Sequence, residues 1–264
     1  MEAAKENTYI ETQKNASAAG DENIIVIKDL RKNFSGKDVL KDVDLEIKKG
    51  ENVVVLGKSG SGKSVLIKCI VGLIQPDDGE IIVFGKDVAH LKTGELNEVR
   101  VKIGFLFQNA ALYDSMTVRE NLEFPLKRHN KGLKRAEIDK LVEEALADVS
   151  LSEAIDKMPS ELSGGMRKRA GLARTLILKP DIMLYDEPTT GLDTGTSKGI
   201  SELILEMQKK NNITSIIITH DMPCAKMTAD RVVMLKEGEI IAQGTYEEME
   251  KSDDEWIRTF FEYL

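Results

Sequence analysis

The sequence predicts an α/β fold built on a parallel, doubly wound sheet, and three observations carry that prediction. Asp181 to Asp186 (DIMLYD) and Thr214 to Thr219 (TSIIIT) are short apolar runs without polar alternation, the pattern of strands buried on both faces. Each follows a segment with helical character, and strands alternating with helices form parallel crossovers. A third run, Asn52 to Leu56 (NVVVL), leads directly into the glycine-rich stretch Gly57 to Ser64 and a helical run from Val65 to Gly72. Sheets of this kind bind ligands beyond the carboxyl ends of their strands, where the polar motifs of this chain fall.

Upstream of NVVVL the pattern changes. Ile24 to Ile27 reads as a short strand, and Asp42 to Ile47 (DVDLEI) alternates as a half-buried antiparallel strand does. Lys49-Gly50-Glu51 is a turn, and Gly79 to Phe84 (GEIIVF) is a further strand closed by Gly85. The stretch from about 109 to 160 is helical instead. Thr117 to Leu126 is one helix, and Lys134 to Val149 another, with Ile138, Leu141, Val142, Ala145, Leu146 and Val149 close to one face. The basic cluster Lys127 to Lys131 between them reads as a solvated interhelical loop in preference to a nucleic-acid patch. Residues 1–22, rich in Ala, Ser, Asn, Lys and Glu, read as a flexible tail. The segment 247–264 is acidic and then amphipathic, with Trp256, Ile257, Phe260 and Leu264 on one helical face. Packing onto the chain's own core is favoured for it over partner binding.

A chain of 264 residues can bury one large core, or one domain with a sub-domain. Its net charge of −8 and 5% aromatic content count against a nucleic-acid surface. Cys69 and Cys224 have no metal-like spacing and read as reduced thiols. The first residues lack the apolar core of a secretory leader, and no run approaches the roughly 18 apolar residues of a spanning helix. A role at a membrane therefore requires spans from another subunit.

The chemistry begins with Gly57-Lys58-Ser59-Gly60-Ser61-Gly62-Lys63-Ser64, which fits the phosphate-binding loop pattern in full. Its glycines let successive backbone N–H groups point at phosphate oxygens, and the helix that follows adds unpaired donors. Lys63 is expected to reach the β- and γ-phosphates, and Ser64 to hold Mg²⁺. Asp186 and Glu187 close the DIMLYD strand. Asp186 is placed to bind Mg²⁺ and Glu187 to polarise an attacking water. Leu162-Ser163-Gly164-Gly165-Met166 opens a long helical run from Arg167 to Leu178. Ser163 is a good N-cap, and Gly164 and Gly165 allow a phosphate close to the backbone.

The LSGGM stretch followed by the Asp-Glu pair resembles the signature of the ABC ATPase family, over about residues 24 to 245. The resemblance implies a P-loop (RecA-like) core with an antiparallel β sub-domain and an inserted α-helical sub-domain, within a domain spanning 23–246. It also implies two copies packed head to tail, each signature helix facing the ATP held by the other. By the same resemblance Phe34 stacks on adenine, and Gln108 senses Mg²⁺ and the membrane subunit. Gly191-Leu192-Asp193 contacts the second copy, and His220 senses the γ-phosphate. Thr194 departs from the Pro that commonly follows the Asp of that contact loop.

The stretch Phe105 to Val118, with Asn121 and Phe124-Pro125-Leu126, is similar to the ATPases of Mla-type lipid transporters. That similarity implies an MlaE-like permease, an MCE-domain lipid-binding protein and a peripheral position on the cytoplasmic face of the inner membrane. An ATPase for another cargo, such as amino acids, is the alternative. A soluble ABC protein acting on DNA or ribosomes fits less well, since the chain has one ATPase domain, no coiled-coil insertion and no duplicated half.

Overall fold

A computed structural model describes residues 23–261. The tail reading for 1–22 and the placement of Leu264 lie outside the described residues. The chain begins with β1 (Asn23–Phe34), β2 (Lys37–Lys48), β3 (Asn52–Leu56), helix α1 (Lys63–Ile70), β4 (Asp78–Val83) and β5 (Lys86–Asp87). Helix α2 (Thr93–Val101) and β6 (Ile103–Leu106) lead to α3 (Val118–His129) and α4 (Arg135–Asp148). Then come α5 (Gly164–Leu176), β7 (Ile182–Asp186), α6 (Thr194–Asn211), β8 (Thr214–Ile218) and α7 (Met222–Thr228). The described chain closes with β9 (Arg231–Lys236), β10 (Glu239–Gly244), α8 (Tyr246–Glu250) and α9 (Glu255–Arg258).

Two sheets result. One is antiparallel, in the order β2-β1-β4-β5, and the other runs β10-β9-β3-β8-β7-β6. In the second, β9, β3, β8, β7 and β6 are parallel and β10 is an antiparallel edge. Every residue of β3, β7 and β8 is buried. The alternation of strand side chains assigns them to two cores. Val53 and Val55 join Leu184, Ile216 and Ile218 on the face covered by the antiparallel sheet and by Leu66, Ile67 and Ile70 of α1. Val54 and Leu56 join Met183, Tyr185 and Ile217 on the face covered by α5 and α6. Apolar residues of α3 and α4 belong to that second core, among them Leu122, Leu126, Val142 and Leu146.

Several sequence-based boundaries move. Strand β1 runs on to Phe34, well past Ile27. Shifts of register, one beside Asp29 at a φ of 50°, break the apolar alternation that would have shown its length. Lys127, Arg128 and His129 form the last turn of α3, not a loop. Two cations there, Lys127 and Arg128, complement the carbonyl end of the helix, and Lys127 pairs with Glu123 at 2.6 Å. The cluster is exposed, as a solvated reading requires. Strand β9, buried along Val232 to Leu235 and parallel to β3, has no counterpart among the strands expected from the sequence. Ile257 is buried against the core of α5 and α6, with Trp256 and Phe260 packed onto it, although α9 itself is only four residues long.

The two cysteines are free and buried, Cys69 on α1 in the core beneath the antiparallel sheet and Cys224 on α7. Burial pushes each thiol up to about 11. At pH 8 that leaves about one thiolate in a thousand. Iodoacetamide at pH 8 should spare both in the folded chain and label both in urea; stoichiometric labelling of the folded chain would contradict this packing.

Candidate active site

The phosphate-binding loop hangs between the end of β3 and the start of α1, and close backbone approach shapes it. A Cβ on Gly57 would lie 2.3 Å from the Leu235 carbonyl oxygen and 2.6 Å from Ser61 Oγ. Gly62 has a φ of +107°, and a Cβ there would meet the Val39 carbonyl at 2.7 Å. Gly60, at φ +80°, faces open space. Ser61 turns inward and is buried; its N–H donates to Lys58 O at 3.2 Å and its carbonyl accepts from Gly238 at 3.1 Å. Of the eight predicted loop residues it is the one absent from the groove lining; Gly57, Lys58, Ser59, Gly60, Gly62, Lys63 and Ser64 all line it.

The groove above the loop encloses about 730 Å³, within the range of small-molecule sites. The strand ends bring Gln108, Asp186, Glu187 and His220 to the same wall. Lys63 Nζ donates to Gly57 O at 2.7 Å and to Lys58 O at 3.1 Å, which curls the ammonium over the loop. Burial lowers its pKa, opposed by the charges of Glu187 and Asp186. Ser64 Oγ donates to Asp186 Oδ1 at 2.9 Å. These oxygens, with the Gln108 side chain, make a hard donor set of hydroxyl, carboxylate and amide, which suits Mg²⁺. Among the described residues no three His, Cys, Asp or Glu form a ready-made metal cage. A Mg²⁺ held by one carboxylate and substrate phosphates needs none.

Glu187 has a φ of 53°, in the left-handed region. Its N–H donates to Ile218 O at 2.9 Å, tying the turn after β7 to the end of β8. His220 follows that same strand, and its Nδ1 lies 2.8 Å from Glu187 Oε2. Thr190 Oγ1 donates to the same oxygen at 3.0 Å. Two neighbours therefore aim one carboxylate, in the same groove as the glycine-rich loop.

Not every predicted residue arrives here. Phe34 sits at the end of β1, is 44% exposed and is not part of the groove wall. Its place in the lining is taken by Lys37 and Val39 of β2 and by Phe260. The reason is the tight turn at Ser35-Gly36, which leaves Phe34 at the hairpin tip. Ser163, Gly164 and Gly165 begin α5, where Ser163 Oγ accepts the Met166 N–H at 3.3 Å. A Cβ on Gly165 would meet Thr196 Cγ2 at 2.4 Å, and one on Gly164 would meet Leu192 Cδ2 at 3.2 Å. The signature start thus packs against the 191–196 segment and does not line its own chain's groove. Asp193 caps α6 through the Thr196 N–H at 3.0 Å, and hydrogen bonds from Thr196 lower its pKa. Lys168, Thr190 and Phe260 carried no sequence signal of their place at or beside this site.

A second groove of about 380 Å³ opens beside the segment after Gln108, lined by Phe105, Phe107, Tyr113, Phe124, Pro125 and Arg174 among others. Tyr113 and Phe124 are 45% and 37% exposed, with ring centroids 5.1 Å apart. Buried Asn121 fixes this segment. It accepts the Tyr113 N–H at 2.8 Å and donates to the carbonyls of Tyr113, Met116 and Thr117 at 3.0–3.1 Å.

With this geometry in place, the profile of the ABC transporter family matches residues 40–190, more than half of the chain. The chain belongs to that family. This ABC ATPase is 41% identical over 236 residues to the probable ribonucleotide transport ATP-binding protein mkl of Mycobacterium leprae, covering 89% of this chain and 68% of that one. It is 42% identical over 226 residues to the methionine import ATP-binding protein MetN of Clostridium acetobutylicum, covering 86% and 70%. It is 37% identical over 234 residues to the intermembrane phospholipid transport system ATP-binding protein MlaF of Haemophilus influenzae, covering 89% and 88%. The chain therefore spans about two thirds of the first two relatives and most of the third. Among solved structures, the dimeric post-hydrolysis state of the ATP-binding cassette MJ0796 with ADP and Pi aligns with a TM-score of 0.78 at 33% identity, covering 84% of this chain and 98% of that one. CbiO1 of Clostridium perfringens, part of the transporter complex cbiONQ, aligns with a TM-score of 0.79 at 32% identity, covering 93% and 96%. The fold and the hydrolysis of ATP follow from this membership. Among the described residues of the ABC ATPase, no helix is long and apolar enough to cross a membrane.

Gly57→Ala should separate close approach from simple flexibility. Its Cβ forces the loop to shift, and a misplacement of about 1 Å costs roughly 100-fold in turnover. Gly60→Ala meets no neighbour and carries only the left-handed penalty of about 1–2 kcal/mol. Steady-state ATPase assays on the two variants would check the contrast, and equal losses would contradict it.

Proposed function

We propose that this chain is the ATP-hydrolysing subunit of a transporter that moves phospholipid between bacterial envelope membranes. It works as a homodimer on the cytoplasmic face of the inner membrane, beneath an MlaE-like permease that is joined to an MCE-domain lipid-binding protein. The observation that carries the lipid reading is the 37% identity to MlaF over 234 residues, with the likeness of the Phe105 to Leu126 stretch to Mla-type ATPases beside it. The exposed Tyr113–Phe124 groove supports a permease at this face, since an aromatic-lined cleft on an otherwise polar surface suits a protein partner. A second reading, an importer ATPase for a small polar substrate, is favoured by the higher identities to MetN and mkl. No nucleic-acid partner is proposed, given the net charge of −8.

In the proposed cycle Gly57 to Ser64 hold the phosphates of ATP, with Lys63 swinging from the loop carbonyls to the β- and γ-oxygens. Ser64, Asp186 and Gln108 would hold a Mg²⁺ ion, which would supply positive charge to offset the negative charge developing on the transferred phosphoryl group. Glu187, held by His220 and Thr190, accepts a proton from the attacking water. His220 also contacts the γ-phosphate. Phe34 remains the proposed adenine contact, reached at the hairpin tip outside the groove wall. The unpaired N–H groups at Ser163, Gly164 and Gly165 meet the γ-phosphate held by a second copy, which explains why they miss the groove of their own chain. Closure of the dimer moves α3 and α4 and thereby the permease.

Glu187→Gln is expected to bind ATP, accumulate as a dimer on size exclusion, and turn over roughly 100-fold more slowly or worse; turnover at the wild-type rate would contradict the assignment. Lys63→Ala should lose ATP binding, and unchanged affinity would contradict the loop reading. Purifying Glu187→Gln with ATP from detergent-solubilised native membranes tests the cargo. An MlaE-like permease with an MCE protein supports lipid transport. A different permease leaves the importer reading, and ribosomes or DNA factors would overturn the transporter altogether.

A further inference from the structure

Lys168 lies on α5, little more than a turn beyond the signature start, and is only 5% exposed. A buried ammonium must find partners for its donors. Its Nζ donates to the carbonyl of Glu187 at 3.0 Å and, in a short hydrogen bond, to the carbonyl of Gln108. Those carbonyls belong to separate segments, one following β6 and one following β7. The charges of Glu187 and Asp186 draw on the same ammonium. Lys168 does not line the groove, so it has no place to touch nucleotide.

The geometry around Glu187 gives that bond its weight. The residue sits at a left-handed φ of 53°, a conformation its side chain disfavours. Three hydrogen bonds hold its main chain there: the N–H donates to Ile218 O at 2.9 Å, and the carbonyl accepts from Lys168 Nζ at 3.0 Å and, more weakly, from the Thr190 N–H at 3.4 Å. With both ends tied, the carboxylate is delivered to His220 Nδ1 and Thr190 Oγ1. The other bond of Lys168 holds the main chain of Gln108, whose side chain lines the same wall. One side chain thus connects α5 to two of the segments that line the groove.

We infer that Lys168 is a positioning residue for ATP hydrolysis, fixing Glu187 and Gln108 relative to one another and to α5. This rests on the role proposed above for Glu187. A methionine has nearly the same length and no donors, so Lys168→Met should leave both loops in place on average but loosen their angle. A positioning contact of this kind costs about 10- to 100-fold in activity when removed. ATP affinity depends on Gly57 to Ser64 and should stay unchanged, because Lys168 is outside the groove.

The test uses the full chain, with kcat from steady-state ATPase assays and affinity from a fluorescent ATP analogue. Lys168→Met should lower kcat about 10- to 100-fold at unchanged affinity. Lys168→Gln, which keeps two donors on a side chain one atom shorter, should fall between Met and wild type. Wild-type kcat in folded Lys168→Met would overturn the inference, and so would a parallel loss of affinity and kcat. Should Lys168→Met fail to fold, Lys168→Gln decides: lowered kcat at unchanged affinity supports the inference and unchanged kcat overturns it. Glu187→Gln, assayed alongside, separates the two claims. If that variant keeps full turnover, the role of Glu187 fails whatever Lys168 does; if it is inactive while Lys168→Met is normal, only the positioning role is lost.

Discussion

A parallel sheet carries its crossover helices on its faces, so its central strands have to be covered on both sides. In this ABC ATPase β3, β7 and β8 meet that demand at every residue. The antiparallel sheet and α1 close one face, and α5 and α6 close the other. Much of the catalytic face follows from this two-sided burial. Strands anchored that firmly stop in register, and their carboxyl ends project the phosphate loop, Asp186-Glu187 and His220 toward one space. The parallel pairing of Asp186 with Ile218 and of Val55 with Ile218 sets those ends side by side.

Charge is then concentrated where burial stops. Lys63 and Lys168 face Asp186 and Glu187 across a partly desolvated wall, and burial lowers the pKa of both ammonium groups. Each lysine spends its donors on backbone carbonyls, so both are held close to the acids with their hydrogen bonds satisfied. A triphosphate entering this groove brings more negative charge than two lysines balance. In the proposed site the amides of the loop and of α1 would meet its phosphate oxygens. A metal at Ser64 and Asp186, with the helix start of a second copy, fits the remainder of the proposed site.

Much of this was legible in the sequence because the signals were local. A phosphate loop needs glycines at fixed offsets between a strand and a helix, and every one of those offsets is contiguous in the chain. Unbroken apolar runs exposed β3, β7 and β8 for the same reason. Strand β1 reads short because bulges near Asp29 disturb its alternation, whereas β9 carries no motif at its end to mark it. The last turn of α3 looked like a loop because its residues are basic and solvated, which is also how a helix end is stabilised.

The motifs and the family are readable from the chain alone: a glycine-rich loop between a strand and a helix, an acidic strand end and a second glycine-bearing helix start. Which of these meet within one chain depends on the packed fold. Glu187 and His220 are 33 residues apart and come within 2.8 Å because β7 and β8 are neighbours. Ser163 to Gly165 stay away because α5 packs its first turn against Leu192 and Thr196. Phe34 is held at a hairpin tip, and Lys168, which reads as one more basic residue on a helix, is buried between two loops. Local spacing encodes a motif, but the distance between motifs is set by strand order and by which helix face the core buries. Those depend on contacts between residues far apart in the chain.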